Sequence, residues 1–497
     1  MTPLQRPKLS QAASRIGSAL LSLAFGAGAL CYAQTAQPLV QDTPVTGQCQ
    51  SHGGEPGCVL PNLFGDKGLT VFASQNFPHY AHFIGSAQTT LNQTLSSAIA
   101  TQLTALPIIS PSSGFTYRYD SEAGAFVRTT TSFGPIYTER AETIGRGRVS
   151  FGVSYQRFRF SSIDGIDLHK VPAVFSHIPD TGLNGSPETY EADVIKTTNN
   201  INLNMDSTVA YATVGITDRI DVSASIPLVS VRMGVNSDAT IVRVSGPTVN
   251  IPGVGTVPNP HQFTANPNSL TNSFYSHGDA SGIGDISFRV KGNVWRGSHA
   301  GLSLGLDVRT PTGNAWEFLG SGAVGIKPFV ALSAQRKHFS PHLNLGYQWN
   351  GSSILAGNLT GTSVFENSAG IEVIQNGQAV KGSLPSQLSY ALGTDFGATK
   401  GLTLSFDYLG QTLINAPRVF RENTRTADIP GGTGSLILPT ISGGKDTAVL
   451  SSGAVGFKYN LFGNLLLTGN VLFRLDNKGL RENVVPLVAL SYAFGGK

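Results

Sequence analysis

Ten charged side chains, Asp285, Arg289, Lys291, Asp307, Arg309, Asp395, Asp407, Lys458, Arg474 and Asp476, fall on the polar parity of segments in which apolar and polar residues alternate one for one. If that parity faces an enclosed lumen, charges of both signs on neighbouring strands can do two things. They can stiffen the wall as ion-pair ladders, or set a field across a pore that orients a solute. His342, Asn344, Gln348 and Asn350 share the inward parity of one segment and are polar, which counts against a purely hydrophobic conduit. Catalysis needs more than these residues supply. A barrel lipase or deacylase pairs a Ser nucleophile with a His base; His342 and His169 are the candidates, neither has a recognisable catalytic spacing, and loss of lipid hydrolysis in His342→Ala would be the test. The GIGD run at Gly282 enters a strand with no helix after it, so it is not a phosphate loop. Of three cysteines, Cys31 lies in the leader, and Cys49 and Cys58 are expected to pair as a disulfide in an oxidising compartment. His52 and Glu55 between them match no zinc spacing. No catalytic, cofactor or metal residue is assigned, and no cofactor is implied.

The segments that must position these side chains read as β-strands. Leu465, Leu467, Gly469, Val471, Phe473 and Leu475 share one face; Leu466, Thr468, Asn470, Leu472, Arg474 and Asp476 share the other. Leu402, Leu404, Phe406 and Tyr408 alternate with Thr403, Ser405 and Asp407, and Leu302 to Arg309 behaves likewise. A soluble sandwich strand alternates too, but here short and long connections also alternate, the rhythm of a membrane-spanning up-and-down barrel. Thirteen strands are read at 133–141, 149–160, 201–216, 220–233, 285–294, 301–309, 324–335, 342–350, 388–397, 402–413, 447–461, 465–476 and 484–494. Tight turns at 145–146, 217–218, 296–300, 338–340, 399–400 and 462–464 fit the periplasmic side. Long connections at 161–196, 245–282, 352–386 and 415–446 fit the outside. Both termini in the periplasm require an even number. A further strand at 115–119 gives about 14, with 12 if the first hairpin lies inside or beneath the barrel.

Ahead of the strands, Leu91, Leu95, Ala98, Ile99, Leu103 and Leu106 recur at helical spacing, predicting a short amphipathic helix over 86–107 capped by Ser86 and ended by Pro107. A barrel this wide cannot be filled by its own side chains, so this segment is read as a plug.

The expected domains are an export signal over 1–33, a periplasmic or plug segment over 34–113, and a barrel over 114–497. Arg6, Lys8 and Arg15 precede an apolar stretch and small residues, as in a secretory signal. Only 13% of the 497 residues are charged, against about 25% in ordinary soluble domains. Glycine is abundant at 58, and mean hydropathy is near zero. The net charge of +4 is scattered, which gives nucleic acid no footprint. No run of about 18 apolar residues follows the leader, so any crossing must use a closed sheet.

The runs SFGPIYTERAETIGRGRVSFGVSYQRF from Ser132, GITDRIDVSASIPLV from Gly215, GIGDISFRVKGNVW from Gly282, GLSLGLDVRTPTGN from Gly301, GAVGIKPFVAL from Gly322 and HLNLGYQWNG from His342 resemble the meta-pathway phenol-degradation transporter family. Its members are bacterial outer-membrane barrels related in architecture to long-chain fatty-acid and aromatic-hydrocarbon transporters. The resemblance implies an outer-membrane channel for passive uptake of small hydrophobic or aromatic molecules. Its implied partners are outer-membrane lipid, the solute and the barrel-assembly machinery. A general porin, a lipid-modifying enzyme and an adhesin using the 246–281 loop remain the alternatives.

Overall fold

The computed structural model describes Cys49, residues 54–65, 68–72, Phe83, 87–111, 114–120, 125–128, Thr130, 132–176, 192–251, 255–358, 363–366, 372–375, 380–426 and 435–494. The signal expected over 1–33 and the Ser86 cap lie outside these residues. Twelve antiparallel strands form the wall: β1 Val149–Ile163, β2 Val194–Gly215, β3 Ile220–Val242, β4 Ser287–Arg296, β5 Ala300–Arg309, β6 Gly325–Ala334, β7 Phe339–Asn350, β8 Ser386–Gly397, β9 Leu402–Arg425, β10 Ile437–Phe462, β11 Leu465–Arg474 and β12 Val484–Phe494. Each pairs with its sequence neighbour, and β12 returns to β1 with Leu487 opposite Gln156, so the sheet closes. Closure leaves no unpaired edge in the wall, the condition for a sheet in hydrocarbon.

Parity decides which side meets lipid. On β1, Val149, Phe151, Val153 and Tyr155 are exposed, while Ser150, Ser154 and Gln156 are buried inside. On β7 the exposed face runs from Phe339 through Leu343 and Leu345 to Trp349. Ten steps of about 3.3 Å, tilted by about 40°, give a band roughly 25 Å tall, the height of an outer-membrane hydrocarbon layer. Exposed Trp295, Phe339, Phe396, Phe462 and Phe494 ring the short-turn end, and Phe288, Trp349 and Phe420 lie toward the other. These are aromatic girdles. The protein is therefore a β-barrel of the bacterial outer membrane.

The wall has 12 strands, the number expected if the first hairpin lies inside or beneath the barrel, rather than 14. Residues 133–141 are not a wall strand, and their sequence holds the reason. Glu139 sits on one parity and Arg140 on the other, so either orientation as a wall strand turns a charge to lipid, at about 2–4 kcal/mol for Arg at the midplane. Pro135 further lacks the N–H a ladder needs. Residues 115–119 contribute instead to a hairpin of Tyr117–Asp120 with Ala125–Arg128 at the short-turn end. There Phe115 packs on Phe133, Leu466 and Ala493, and the Tyr117 hydroxyl donates to Asn464 Oδ1 at 3.2 Å. The wall thus begins at Val149 rather than at 114.

Several expected loops prove to be strand. Thr271–Ile283 pairs with the outer half of β3, and β4 takes over that edge after the break at 284–286. β9 and β10 continue paired to Arg425 and Ile437, and β2 and β3 pair from Val194 to Val242. Above the lipid band the outward face turns polar, as at Asn200, Asn202 and Asn236, so hydrophobic alternation ends while backbone pairing goes on.

A helix, α1, spans Ser96–Leu103, continuing from a wider turn over Gln88–Leu95. Leu91, Leu95, Ala98, Ile99 and Leu103 pack into one core with the inward-facing Phe158, Phe160, Leu203, Val229, Val231 and Met233 of β1 to β3. Gln102 Oε1 accepts the Leu480 N–H, and Ser97 Oγ donates to Leu355 O at 3.2 Å. Apolar lumen residues toward the long-loop end therefore bury an amphipathic helix, which is the plug. Cys49 and Cys58 are joined as a disulfide with Cα atoms 5.1 Å apart.

Candidate functional site: the occluded lumen

After α1 the chain runs as a strap through 104–111, reaches the short-turn hairpin, and returns as a belt, 132–144, across the lumen. Among the described residues the belt has no sheet partner, so most of its backbone groups must find side chains. They find them on the wall near the short-turn end. Phe133 N–H donates to Thr403 Oγ1 at 3.0 Å, Tyr137 and Thr138 N–H to Asp407 at 3.4 Å each, and Ala141 N–H to Ser333 Oγ at 2.8 Å. Ile144 N–H donates to Asp221 Oδ2 at 3.0 Å. Asn344 both accepts from Glu139 N–H, at 2.6 Å, and donates to Glu139 O, at 2.7 Å. Belt carbonyls are met by ammonium groups: Lys458 Nζ donates to Phe133 O at 3.3 Å and Pro135 O at 2.5 Å, and Lys291 Nζ to Arg140 O at 3.0 Å and Glu142 O at 2.8 Å. This is why the lumen wall is polar at that level.

The charges lock the centre of the belt. Arg289 holds Asp307 through Nε at 2.5 Å and Nη2 at 2.9 Å, and reaches Glu139 through Nη1 at 2.5 Å. Lys291 Nζ meets the other Glu139 oxygen at 2.8 Å, and Ser110 Oγ donates to Glu139 Oε2 at 2.6 Å. Burial alone would push the Glu139 carboxyl up. Lys291 and Arg289 more than offset it and hold the carboxyl well below the usual carboxylate range.

The belt also needs room. A Cβ on Gly393 would stand 2.3 Å from Thr138 Oγ1 and 2.5 Å from Asp407 Oδ1, and one on Gly456 would stand 2.6 Å from Ile136 Cδ1. Both glycines let the wall accept the belt at close approach.

Of the ten charges singled out above, Arg289, Lys291, Asp307, Asp395, Asp407 and Lys458 converge on the belt. Asp395 accepts from Ser132 Oγ at 3.0 Å. Arg309 lies higher, donating to Thr104 O of the strap at 3.0 Å and to Asn350 Oδ1 at 2.8 Å, with Asp285 at 3.6 Å. Asp285 also fastens the connection after β5 by accepting from Ser321 N–H at 2.7 Å. Arg474 and Asp476 stand apart toward the long-loop end: Arg474 donates to Ser162 Oγ at 2.9 Å and Asp476 pairs with Arg481 at 3.0 Å. Glu139, Asn344, Ser333, Asp221 and Lys327 complete the site. Lys327 and Asp221 lie on the inward parity of strands already read and follow from the same rule. Glu139 does not, because its segment was read as wall.

His342 has the neighbours of a catalytic base in kind but not in use. Its Nδ1 lies 2.7 Å from Ser333 Oγ and its Nε2 3.5 Å from Asp395. Ser333 is buried and already accepts the Ala141 N–H, and the group borders neither lumen cavity described below. It fastens the belt. His169 sits in the connection after β1, beside Asp167 at 3.2 Å.

Cavities flank the strap on both sides. The larger, about 230 Å³, lies between residues 104–111 and the inner faces of β3 to β9; the smaller, about 110 Å³, lies toward β1 to β3. Arg309 borders both.

Among solved structures, the fold is similar to an outer membrane channel from Pseudomonas putida, at 13% identity and a TM-score of 0.39, covering 71% of this chain and 98% of that one. A Pseudomonas aeruginosa FadL homologue matches at 10% identity and 0.29, covering 78% and 99%. The Ralstonia pickettii toluene transporter TbuX matches at 10% and 0.29, covering 71% and 90%. Likenesses this distant carry no argument about what this chain does. No curated protein matches it. Residues 181–428, from the connection before β2 to just past β9, match the profile of the family described as "Putative MetA-pathway of phenol degradation".

Proposed function

We propose that this protein is an outer-membrane channel for passive uptake of small aromatic molecules, not an enzyme. The observation that carries the reading is a lipid-facing closed barrel whose lumen holds the chain's own residues 87–111 and 132–144 yet keeps a cavity of about 230 Å³ against a polar wall. The match of residues 181–428 to a phenol-degradation family profile supports an aromatic solute. The same reading includes an export signal over 1–33, assembly by the barrel-assembly machinery, surrounding outer-membrane lipid, and movement down the solute gradient.

Intact cells with and without the protein test it, by uptake of a labelled aromatic hydrocarbon, a long-chain fatty acid and a small sugar. Loss of aromatic uptake alone is expected on removing the protein. Loss of sugar uptake alone would make it a general porin, and unchanged uptake of all three would refute the channel.

A further inference from the structure

We infer that the outward face of β1 to β3, just above the hydrocarbon band, is a docking surface for a phosphorylated glycolipid of the outer leaflet, with phosphates on Arg157, Arg159 and Arg232 and sugars on the amide rows above them. The inference rests on the barrel's place in the outer membrane, not on what passes through its lumen.

Register sets the argument. β1, β2, β3 and the strand Thr271–Ile283 are paired side by side, so their outward residues line up in rows. The last row of the lipid band is Tyr155, Thr208, Leu228 and Ile283, with Leu228 53% and Ile283 50% exposed. One two-residue step up, about 6.6 Å along the strand, Arg157 stands opposite Asp206. The row after that is Arg159, Asn204, Arg232 and Asp279. Carbon gives way to charge within one step, at the height where headgroups begin.

The charged rows keep donors to spare. Asp206 is shared: the Tyr155 hydroxyl donates to it at 2.6 Å, Arg232 Nη2 at 3.0 Å, and Arg157 Nε lies 3.5 Å away. Both guanidinium side chains stay open to the outside, 38% exposed at Arg157 and 55% at Arg232. Arg159 is exposed, and among the described residues it pairs with no carboxylate. Asp279 stands opposite Arg232. With it counted, the two rows hold three arginines against two aspartates, an excess of one positive charge (three minus two). A guanidinium fork is matched to phosphate oxygens.

Above the charges the chemistry changes again. The next two rows are Asn202, Gly234 and His277, then Asn200, Asn236 and Tyr275. Asn202 Nδ2 donates to Asn200 Oδ1 at 3.3 Å, and the Tyr275 and His277 rings stack with centroids 5.4 Å apart, Tyr275 being 66% exposed. Amides that both donate and accept, beside an open aromatic face, suit the hydroxyls and ring faces of sugars. Acyl chain, phosphate and sugar meet their counterparts in the order in which an outer-leaflet glycolipid carries them. A phospholipid headgroup would end at the charged rows and leave the amide rows unmet.

Native mass spectrometry of the purified full-length protein in detergent tests this, with four probes: bisphosphorylated lipid A, its dephosphorylated form, lipopolysaccharide carrying its core sugars, and phosphatidylglycerol. Bisphosphorylated lipid A is expected to bind about ten-fold more tightly than the dephosphorylated form, the worth of one charge-assisted hydrogen bond, and lipopolysaccharide more tightly than phosphatidylglycerol. Arg159→Gln should shrink the phosphate preference several-fold and Arg159→Lys keep most of it. Tyr275→Ala should weaken lipopolysaccharide several-fold and leave lipid A unchanged. These side chains point away from the lumen, so heat-modifiable gel mobility should show a closed wall in every variant. Equal binding of the two lipid A forms, a phosphate preference untouched by Arg159→Gln, lipopolysaccharide binding untouched by Tyr275→Ala, or phosphatidylglycerol binding as tightly as lipopolysaccharide would overturn the inference.

Discussion

Replacing Glu139 with Leu is expected to release the belt while leaving the barrel closed. The substitution leaves Arg289 Nη1 and Lys291 Nζ buried without the carboxylate that both now contact. Removing one partner of a buried ion-pair network costs about 3–5 kcal/mol. None of the wall's backbone pairing depends on Glu139, so the loss falls on the belt. Limited trypsin digestion in detergent should cut the variant after Arg140 at concentrations that spare the native chain. Heat-modifiable gel mobility, which reports the closed wall, should not change. A digestion pattern identical to the native one would show that the belt is held without Glu139.

The same carboxylate fixes the acid behaviour of the belt. Its folded pKa is depressed, so its contribution is full above the ordinary Glu value of about 4.3 and is lost as pH falls below it toward the folded value. Trypsin resistance cannot be read there, so a protease active in acid is required. Protection of the native belt should hold from neutral pH to about 5 and decline below about 4. Glu139→Gln should remove that decline.

Gly393→Leu tests the belt from the other side. The added Cβ would meet Thr138 Oγ1 and the Asp407 carboxylate at 2.3 and 2.5 Å, before the rest of the side chain is placed. The wall cannot yield, because β8 is paired with β7 on one edge and β9 on the other. The belt has to move. Its attachments to Asp407, two N–H bonds and the Thr138 hydroxyl at 2.5 Å, are lost together, at about 1–3 kcal/mol for each buried group left unmet. Single-channel conductance in planar bilayers should rise several-fold above the native level, the opposite of what a bulkier lumen residue does to an empty pore. A fall in conductance would mean that the lumen is open at Gly393 and the belt is not there.

Much of this architecture is legible in the sequence because a barrel wall has one rule, period-two alternation between lipid and lumen. Leu465 to Asp476 obeys it along its whole length, and the charges at 289, 291, 395, 407 and 458 are found on the inward face for that reason alone. The rule loses force in two places. Above the lipid, Thr271–Ile283 has no greasy face to show, although its backbone is fully paired with β3. Inside the lumen, 132–144 is extended without being a strand, so alternation gave a strand where paired charges on both parities should have vetoed one. The partners of the belt were unreadable for a different reason. Asn344 and Ser333 become anchors only once an unpaired backbone is laid across them, and nothing local to either residue announces that.

The central claim is that the chain closes its own pore, and the most direct measurement is the planar-bilayer conductance of the native protein against a chain lacking residues 49–144. Native protein should insert and show small, brief openings, whereas the shortened chain should show the large, steady conductance of an empty twelve-stranded barrel. Equal conductances from the two inserted chains would contradict the account.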